Sequence, residues 1–215
     1  MSVTTVILDY GCVLSLRPGL EDFEPLRQAL GAPDSASFQE MYWRHRDDYD
    51  LDKLDVTTYW QMMGGEVGAR LTPEQIQSLA TLDCQIWGRP NAVMVEWLRL
   101  LRARGLKTAM ISNLSSFVSG YLRRNAGWVG LFDQLCFSGE MGVMKPHPPI
   151  FHACLEAVKT SAPEALFIDD REVHVAGARA VGINGVMFRS TEQLQSDLYP
   201  YGLAELLAEA QARAG

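Results

Sequence analysis

Carboxylate side chains follow two short apolar runs of the sequence. Asp9 comes directly after the run 6–8, and Asp169 and Asp170 follow the run 165–168. Bare carboxylates that come together repel one another, and a hard cation that bridges them removes this cost. Mg²⁺ prefers a few carboxylates together with water and phosphate oxygens. The three acids therefore predict a Mg²⁺ site, on the condition that the fold brings the two runs together.

Further positions carry groups that suit a phosphate ligand. Lys145, in the stretch GVMKPHP, is a compact positive charge that can hold a phosphate group and the Asp9 carboxylate together. Ser112 can donate a hydrogen bond from its hydroxyl, and a carboxylate held in this way can act as a covalent nucleophile. Backbone amides at the starts of loops and helices also bind anions. The amides that can serve here belong to Gly11, Cys12 and Asn113.

The elements that must position these groups alternate between strands and helices. Short apolar runs predict buried strands, and the amphipathic stretches 91–105 and 148–160 predict helices between them. This alternation predicts a parallel sheet with helices on both faces. Because ligands bind beyond the carboxyl ends of the strands in such a sheet, we expect the polar groups to meet in one crevice. The predicted strands are 3–8, 106–111, 134–138, 165–169 and 183–188.

The interval 16–90 breaks the alternation because it contains no convincing strand. It contains helix signals instead, including Asp55 as a predicted N-cap and Gly64 as a predicted helix stop. Thr72 and Gln75 have the spacing of a capping box. We therefore expect an all-helical cap inserted into an α/β core. The predicted division is a catalytic core of residues 1–15 and 91–215 and a helical cap of residues 16–90.

The composition argues against several classes of protein. The chain has 215 residues, of which 47% are hydrophobic and 21% charged, which is typical of globular proteins. Its net charge of −7 and pI near 5.1 argue against a broad nucleic-acid surface. No apolar run approaches the roughly 18 residues of a membrane span, and no secretory signal is visible. The four cysteines are widely spaced and predict reduced thiols. We therefore expect a cytoplasmic protein without nucleic-acid or membrane partners.

The order of the polar residues resembles the four motifs of the haloacid dehalogenase-like (HAD) hydrolase superfamily. The stretches that carry the resemblance are ILDYGCVLS, ISNLS, SGEMGVMKPHPPIF and FIDDREVHVAGARAVGI. The resemblance implies a Rossmann-like α/β core with strand order 5-4-1-2-3, helices on both faces and a helical cap after the first motif. The opening and the cap look most similar to the glucose-1-phosphatase-like branch, which dephosphorylates small sugar phosphates with Mg²⁺.

The resemblance also implies a role for each matched residue, in a Mg²⁺-dependent phosphatase that acts on a small phosphorylated metabolite. Asp9 would be the nucleophile that forms an aspartyl-phosphate. Ser112 would bind a phosphoryl oxygen, and Lys145 would neutralise its charge. Asp169 and Asp170 would anchor Mg²⁺. The other implied ligands are Asp9 and the Gly11 carbonyl for the metal, and Gly11, Cys12 and Asn113 for the substrate.

Two positions depart from the superfamily pattern. Gly11 stands where these phosphatases usually place a second Asp as general acid and base, so proton transfer needs another donor or an acidic leaving group. His174 stands where an Asn is common, and we expect it on a helix surface or behind a metal ligand rather than on the metal. Apart from bulk water, the candidates for the missing acid are the cap residues His45, Asp47 and Asp48.

Other side chains of the cap have a structural interpretation. Arg44, His45 and Arg46 are expected on a solvated helix face that could close over the substrate. The tryptophans are expected to pack in the core or the cap. These residues are Trp43, Trp60, Trp87 and Trp97.

Two other functions remain open at this point. A metal-independent dehalogenase shares the scaffold, but it typically has a Tyr at the position of Gly11. It also binds no metal, so the second acid, Asp170, favours the metal-dependent enzyme. A non-catalytic protein that binds a phosphorylated ligand would also fit the loss of the acid at Gly11. The sequence carries no signal for the oligomeric state.

Overall fold

A computed structural model describes residues 3–215 and contains a five-stranded parallel sheet. The strand order is β3-β2-β1-β4-β5, which confirms the predicted order 5-4-1-2-3. Strands β1, β3 and β5 are shorter than the predicted runs, since flanking residues such as Val3 and Phe188 are buried without belonging to a strand. The strands are β1 (Thr5–Leu8), β2 (Lys107–Ser112), β3 (Gln134–Phe137), β4 (Ala165–Asp169) and β5 (Asn184–Met187).

The register of the central strands brings the polar ends together. Leu8 is paired with Met110 of β2 and with Ile168 of β4. Because all three strands are parallel, Asp9 lies beside Asp169, and Ser112 ends the neighbouring strand at the same edge. The sheet itself therefore places these three side chains in one crevice.

Alternating side chains of the sheet pack into two apolar clusters. Val6 and Leu8 belong to one cluster, whereas Ile7 and Phe167 belong to the other. This period of two is the signature of a strand buried on both faces. The helices that follow residue 91 cover the two faces. They are α6 (Ala92–Ala103), α7 (Ser116–Asn125), α8 (Ser138–Met141), α9 (Pro148–Val158), α10 (Glu172–Ala180), α11 (Thr191–Asp197) and α12 (Ala204–Ala214).

Five α-helices lie in the segment 16–90, ahead of α6, and two of them begin at the predicted caps. The Asp55 side chain accepts from the Thr58 amide at 2.7 Å, and Thr72 and Gln75 form the capping box. These helices are α1 (Glu24–Leu30), α2 (Ser35–Arg44), α3 (Arg46–Asp50), α4 (Val56–Glu66) and α5 (Pro73–Trp87). We call the segment 16–90 the insert, and its division from the core as a separate domain stays a prediction.

The helix stop predicted at Gly64 is wrong, because α4 continues to Glu66. A Cβ at position 64 would lie 2.9 Å from Leu71 Cγ, so this glycine permits close packing of the helix against the segment that follows it. The turn instead uses Gly68, which has φ of +73°. Across residues 3–215, every helix is too short or too polar to cross a membrane.

Another glycine lets α10 approach the loop that carries Lys145. A Cβ at Gly177 would lie 2.6 Å from the carbonyl oxygen of Pro146, the residue after Lys145. Since the contact is with backbone, the loop or the helix would have to move to admit a methyl group.

We expect Gly177→Ala to lower the free energy of unfolding by about 1–3 kcal/mol, the usual cost of overpacking. Gly65→Ala is the matched control, because nothing lies within 4 Å of a Cβ at that helical position. This control should leave stability unchanged or raise it by up to about 1 kcal/mol through helix propensity. Urea unfolding measures both changes, and equal effects of the two substitutions would contradict the packing argument.

Candidate functional site

Three donors converge on one oxygen of the Asp9 carboxylate. The amide of Tyr10 lies 2.7 Å from Oδ1, and the hydroxyl of Ser112 donates to the same atom at 2.8 Å. The Lys145 ammonium lies 2.8 Å from Oδ1 as well. Among residues 3–215, no donor contacts Oδ2, so this second oxygen is free to react.

Lys145 joins two buried carboxylates. Its Nζ lies 2.6 Å from Asp169 Oδ2 in addition to its contact with Asp9, and the lysine is only 2% exposed. Asn113 fixes the lysine backbone, since its Oδ1 accepts from the Lys145 amide at 2.9 Å and its Nδ2 donates to the Lys145 carbonyl at 3.1 Å. The neighbouring strand ends are therefore tied together by one cation. A substrate-binding role of the Asn113 amide stays a prediction.

Burial and pairing set opposite protonation tendencies in this cluster. Burial raises the pKa of Asp9 to about 7, although Lys145 opposes this effect. Burial alone would also raise the pKa of Asp169, but Lys145 and His174 outweigh it and hold that pKa well below its usual range. Burial works against the charge of Lys145, yet the carboxylates of Asp169 and Asp9 raise its pKa. Lys145 therefore stays charged in the buried cluster.

His174 lies behind Asp169, as one of the two sequence interpretations expects. Its Nδ1 lies 3.1 Å from both oxygens of Asp169, and the side chain is buried. Burial lowers the pKa of His174, so a neutral ring presents its Nδ1–H to the carboxylate. The residue therefore orients Asp169, a role suited to a side chain that supports a metal ligand.

Three carboxylates at this edge of the sheet meet the requirements of a hard cation. One oxygen each of Asp9, Asp169 and Asp170 lies within 4.8 Å of the others. The Arg17 guanidinium contacts Asp170 Oδ2 at 2.6 Å, so two cationic side chains offset the three acids. An all-oxygen set of this kind suits Mg²⁺. The contribution of the Gly11 carbonyl stays a prediction.

A cavity of about 610 Å³ opens above these residues and continues under the insert. Asp169 is fully buried and does not line it. The core residues that the sequence singled out and that line the cavity are Asp9, Gly11, Cys12, Ser112, Asn113, Lys145, Asp170 and His174. The insert contributes Arg17, Trp43, Arg46, Asp47, Asp50 and Trp87.

Trp43 and Trp87 form an aromatic wall that sequence reasoning assigned to packing. Trp60 and Trp97 are fully buried as expected, but Trp43 is 49% exposed. The rings of Trp43 and Trp87 meet edge to face with centroids 6.2 Å apart. A Cβ at Gly11 would lie 3.8 Å from Trp87 Cζ3. An indole ring therefore borders the place where an acid at position 11 would stand.

The solvated face predicted for Arg44, His45 and Arg46 is wrong for Arg46. That residue is only 5% exposed, because its guanidinium pairs with Asp83 at 2.9 Å and with Asp50 at 3.1 Å. Arg44 is exposed, and His45 is partly buried. Sequence periodicity missed this cluster because a charged helix usually indicates a solvated face. The sequence signal for this cluster was the helical spacing of Tyr42 and Tyr49 from Arg46. In the structure the two tyrosine rings lie 5.0 and 5.4 Å from the guanidinium carbon of Arg46.

Known proteins show similarity over most of the chain. The family model for haloacid dehalogenase-like hydrolases matches residues 11–182. A phosphatase of Mycobacterium tuberculosis is 27% identical over 194 residues, which are 87% of this chain and 88% of that protein. A sesquiterpene phosphatase of Aspergillus oryzae is 27% identical over 140 residues, 65% of this chain and 70% of that protein.

A solved structure shows the same fold. A HAD family enzyme from Bacteroides thetaiotaomicron, in complex with magnesium and inorganic phosphate, has a TM-score of 0.68 and 18% identity. The similarity covers 87% of this chain and 95% of the other.

Lys145→Met should lower the free energy of unfolding in the presence of chelator by about 3–5 kcal/mol, because two buried carboxylates lose their shared partner. The pKa values of Asp9 and Asp169 then rise in the folded state. The folded protein binds more protons than the unfolded chain, so the loss should grow as the pH rises from about 5 to 8.

Lys53→Met is the matched control, since Lys53 is exposed and pairs with Asp48 at the surface. Such a pair contributes about 0–1 kcal/mol. Urea unfolding at several pH values tests the comparison, and a small, pH-independent effect of Lys145→Met would show that the lysine does not stabilise the buried acids.

Proposed function

Because the chain belongs to the haloacid dehalogenase-like hydrolases, we propose that it is a phosphatase acting on a small phosphoester. The observation that carries the proposal is the free Oδ2 of Asp9, beside an ammonium group and two further carboxylates. The names of the relatives from M. tuberculosis and A. oryzae support it.

In this proposal Asp9 Oδ2 attacks phosphorus and forms an aspartyl-phosphate. Before the substrate arrives, Tyr10, Ser112 and Lys145 hold Oδ1 and thereby orient the attacking oxygen. Once the substrate is bound, the Lys145 ammonium and the Ser112 hydroxyl can donate to phosphoryl oxygens. Negative charge is redistributed on these oxygens in the transition state. Water then hydrolyses the intermediate and restores Asp9.

Asp9, Asp169 and Asp170 would hold Mg²⁺. When bound, the ion offsets the negative charge of the phosphoryl group against the carboxylates. The magnesium and phosphate complex of the B. thetaiotaomicron enzyme supports this assignment. A metal-independent dehalogenase would leave Asp170 without such a use, which favours the phosphatase.

The leaving group of the substrate would lie against the aromatic wall of Trp43 and Trp87. An exposed indole in a cavity offers a large apolar surface with little rotamer entropy to lose. Planar or apolar groups suit this wall, and sugar rings can also pack on it. A cytoplasmic location and the lack of nucleic-acid and membrane partners stay predictions.

Asp9→Asn should abolish phosphate release from p-nitrophenyl phosphate, because the amide cannot form the covalent intermediate. The variant should stay folded and show a cooperative thermal unfolding transition. Asp48→Asn, an exposed acid of the insert outside the cavity, is the matched control and should keep wild-type turnover. Chloroacetate is assayed in parallel. Chloride release without phosphate release by the wild type would replace the phosphatase with the dehalogenase.

Asp170→Asn should weaken Mg²⁺ binding by about tenfold or more, since the site loses a charge and a hard ligand. Isothermal titration calorimetry with Mg²⁺ alone measures this without turnover. Arg17→Met removes the side chain that contacts Asp170 and should not weaken Mg²⁺ binding. Equal Mg²⁺ affinity of the wild type and Asp170→Asn would exclude Asp170 as a ligand, and full activity in excess chelator would exclude the metal altogether.

A further inference from the structure

The core loop lacks the acid that a phosphatase of this kind needs. Gly11 has no side chain, and Trp87 borders the space beside it. An alkoxide is a poor leaving group, so hydrolysis of an ordinary alkyl phosphate needs a proton donor near the leaving oxygen. Of the three cap candidates suggested by the sequence, only Asp47 lines the cavity. The structure offers a fourth candidate, Asp50.

Asp50 belongs to a buried cluster that contains two acids and one cation. Arg46 Nη1 lies 2.9 Å from Asp83 Oδ2 and 3.2 Å from Asp83 Oδ1, and the Tyr42 hydroxyl donates to Asp83 Oδ1 at 2.5 Å. Asp50 has only Arg46 Nε, which lies 3.1 Å from Oδ1. Within residues 3–215, its Oδ2 has no hydrogen-bond partner. Asp83 is therefore much the better satisfied of the two acids.

The charge balance of this cluster favours one bound proton. One guanidinium offsets one carboxylate, and a second bare carboxylate at this depth is costly. Burial, reinforced by Asp83, raises the pKa of Asp50 to about 7, although Arg46 opposes this. Asp50, with the open oxygen, is the natural place for the proton. The charged and titratable groups that interact with Asp50 come from α3, α4 and α5, and they are Arg46, Asp47, Tyr59 and Asp83.

The position of Asp50 connects this proton to the catalytic cavity. Its side chain keeps 10% of its surface exposed and lines the same cavity as Asp9, whereas Asp83 does not. The Asp50 carbonyl accepts from the Ser138 hydroxyl at 2.6 Å. That hydroxyl in turn accepts from the amide of Leu114, two residues after Ser112. Hydrogen bonds therefore fix the backbone of Asp50 against the loop that follows Ser112.

We propose that Asp50 is the general acid and base that replaces the missing acid at position 11. This inference rests on the phosphatase function proposed above. As Asp9 Oδ2 bonds to phosphorus and the bond from phosphorus to the leaving oxygen breaks, protonated Asp50 gives its proton to that oxygen. The alcohol departs. The Asp50 carboxylate then takes a proton from the water that attacks phosphorus, which releases phosphate and the Asp9 carboxylate.

A series of leaving groups of similar shape tests this role. Benzyl, phenyl and p-nitrophenyl phosphate present the same ring to the aromatic wall, but their leaving oxygens become steadily less basic. The specificity constant kcat/KM covers the steps up to departure of the alcohol or phenol. Asp50→Asn should therefore lower kcat/KM for benzyl phosphate by about 10²–10⁴-fold and for p-nitrophenyl phosphate by less than about tenfold. It should also produce a burst of p-nitrophenol, because the intermediate loses its general base.

Two further variants separate catalysis from structure. Asp48→Asn should leave the whole series unchanged. Gly11→Asp introduced into Asp50→Asn should restore benzyl phosphate hydrolysis, because a Cβ at position 11 meets only ordinary contacts and φ there is −62°. An equal loss for all three esters in Asp50→Asn would overturn the proposal. Leaving-group dependence in Asp47→Asn instead would assign the role to Asp47.

A measurement on the unaltered protein covers the case in which Asp50→Asn does not fold. The kcat/KM of the wild type for benzyl phosphate should fall above a pH near 7, and the ratio to p-nitrophenyl phosphate should fall with it. A constant ratio across pH 5 to 9 would refute the acid. Absence of phosphate release from every ester would refute the phosphatase itself, so the two failures are distinct.

Discussion

The arrangement of the site depends on one buried ammonium group between two carboxylates. Strands β1 and β4 are neighbours, so the sheet brings Asp9 and Asp169 together, and without a cation they would repel each other. Lys145 arrives from the loop before α9, where Asn113 holds its backbone. Close packing of Gly177 on that loop follows from the same need, since the ammonium must reach both acids without solvent.

A second cluster repeats this charge problem in the insert. Arg46 lies between Asp50 and Asp83 much as Lys145 lies between Asp9 and Asp169. Each cluster contains one more carboxylate than cation, if His174 is neutral and Asp170 pairs with Arg17. A divalent cation would relieve the excess in the core, and a proton would relieve it in the insert. Both proposals therefore follow from an excess of negative charge, which a metal ion would balance in the core and a proton in the insert.

The sheet and the strand-end residues could be predicted from the sequence because both follow from local patterns. Apolar runs mark the strands, and a parallel sheet necessarily collects their carboxyl ends at one edge. The capping box at Thr72 was predicted for the same reason. Arg46 and Trp43 were misplaced because helical periodicity does not state which partner a face meets. An arginine that pairs with Asp83, 37 positions away, and a tryptophan that faces a cavity depend on how helices of the insert pack.

Residues at strand ends and residues placed by helix packing in the insert would have different roles in the proposed reaction. In our proposal the core supplies the nucleophile Asp9, which strand pairing places, and the charge of Lys145, which comes from the loop before α9. The insert supplies the aromatic wall and, in our proposal, the proton. Trp87 borders the space beside Gly11 from the insert side, so an acid in the core loop would have to share that space with an indole. With Asp50 as the acid, the aromatic wall of Trp43 and Trp87 needs no rearrangement. Proton transfer would then depend on the insert staying docked through Ser138, which joins Asp50 to the loop after Ser112. Leaving-group protonation would in this way depend on the contact between the insert and the core.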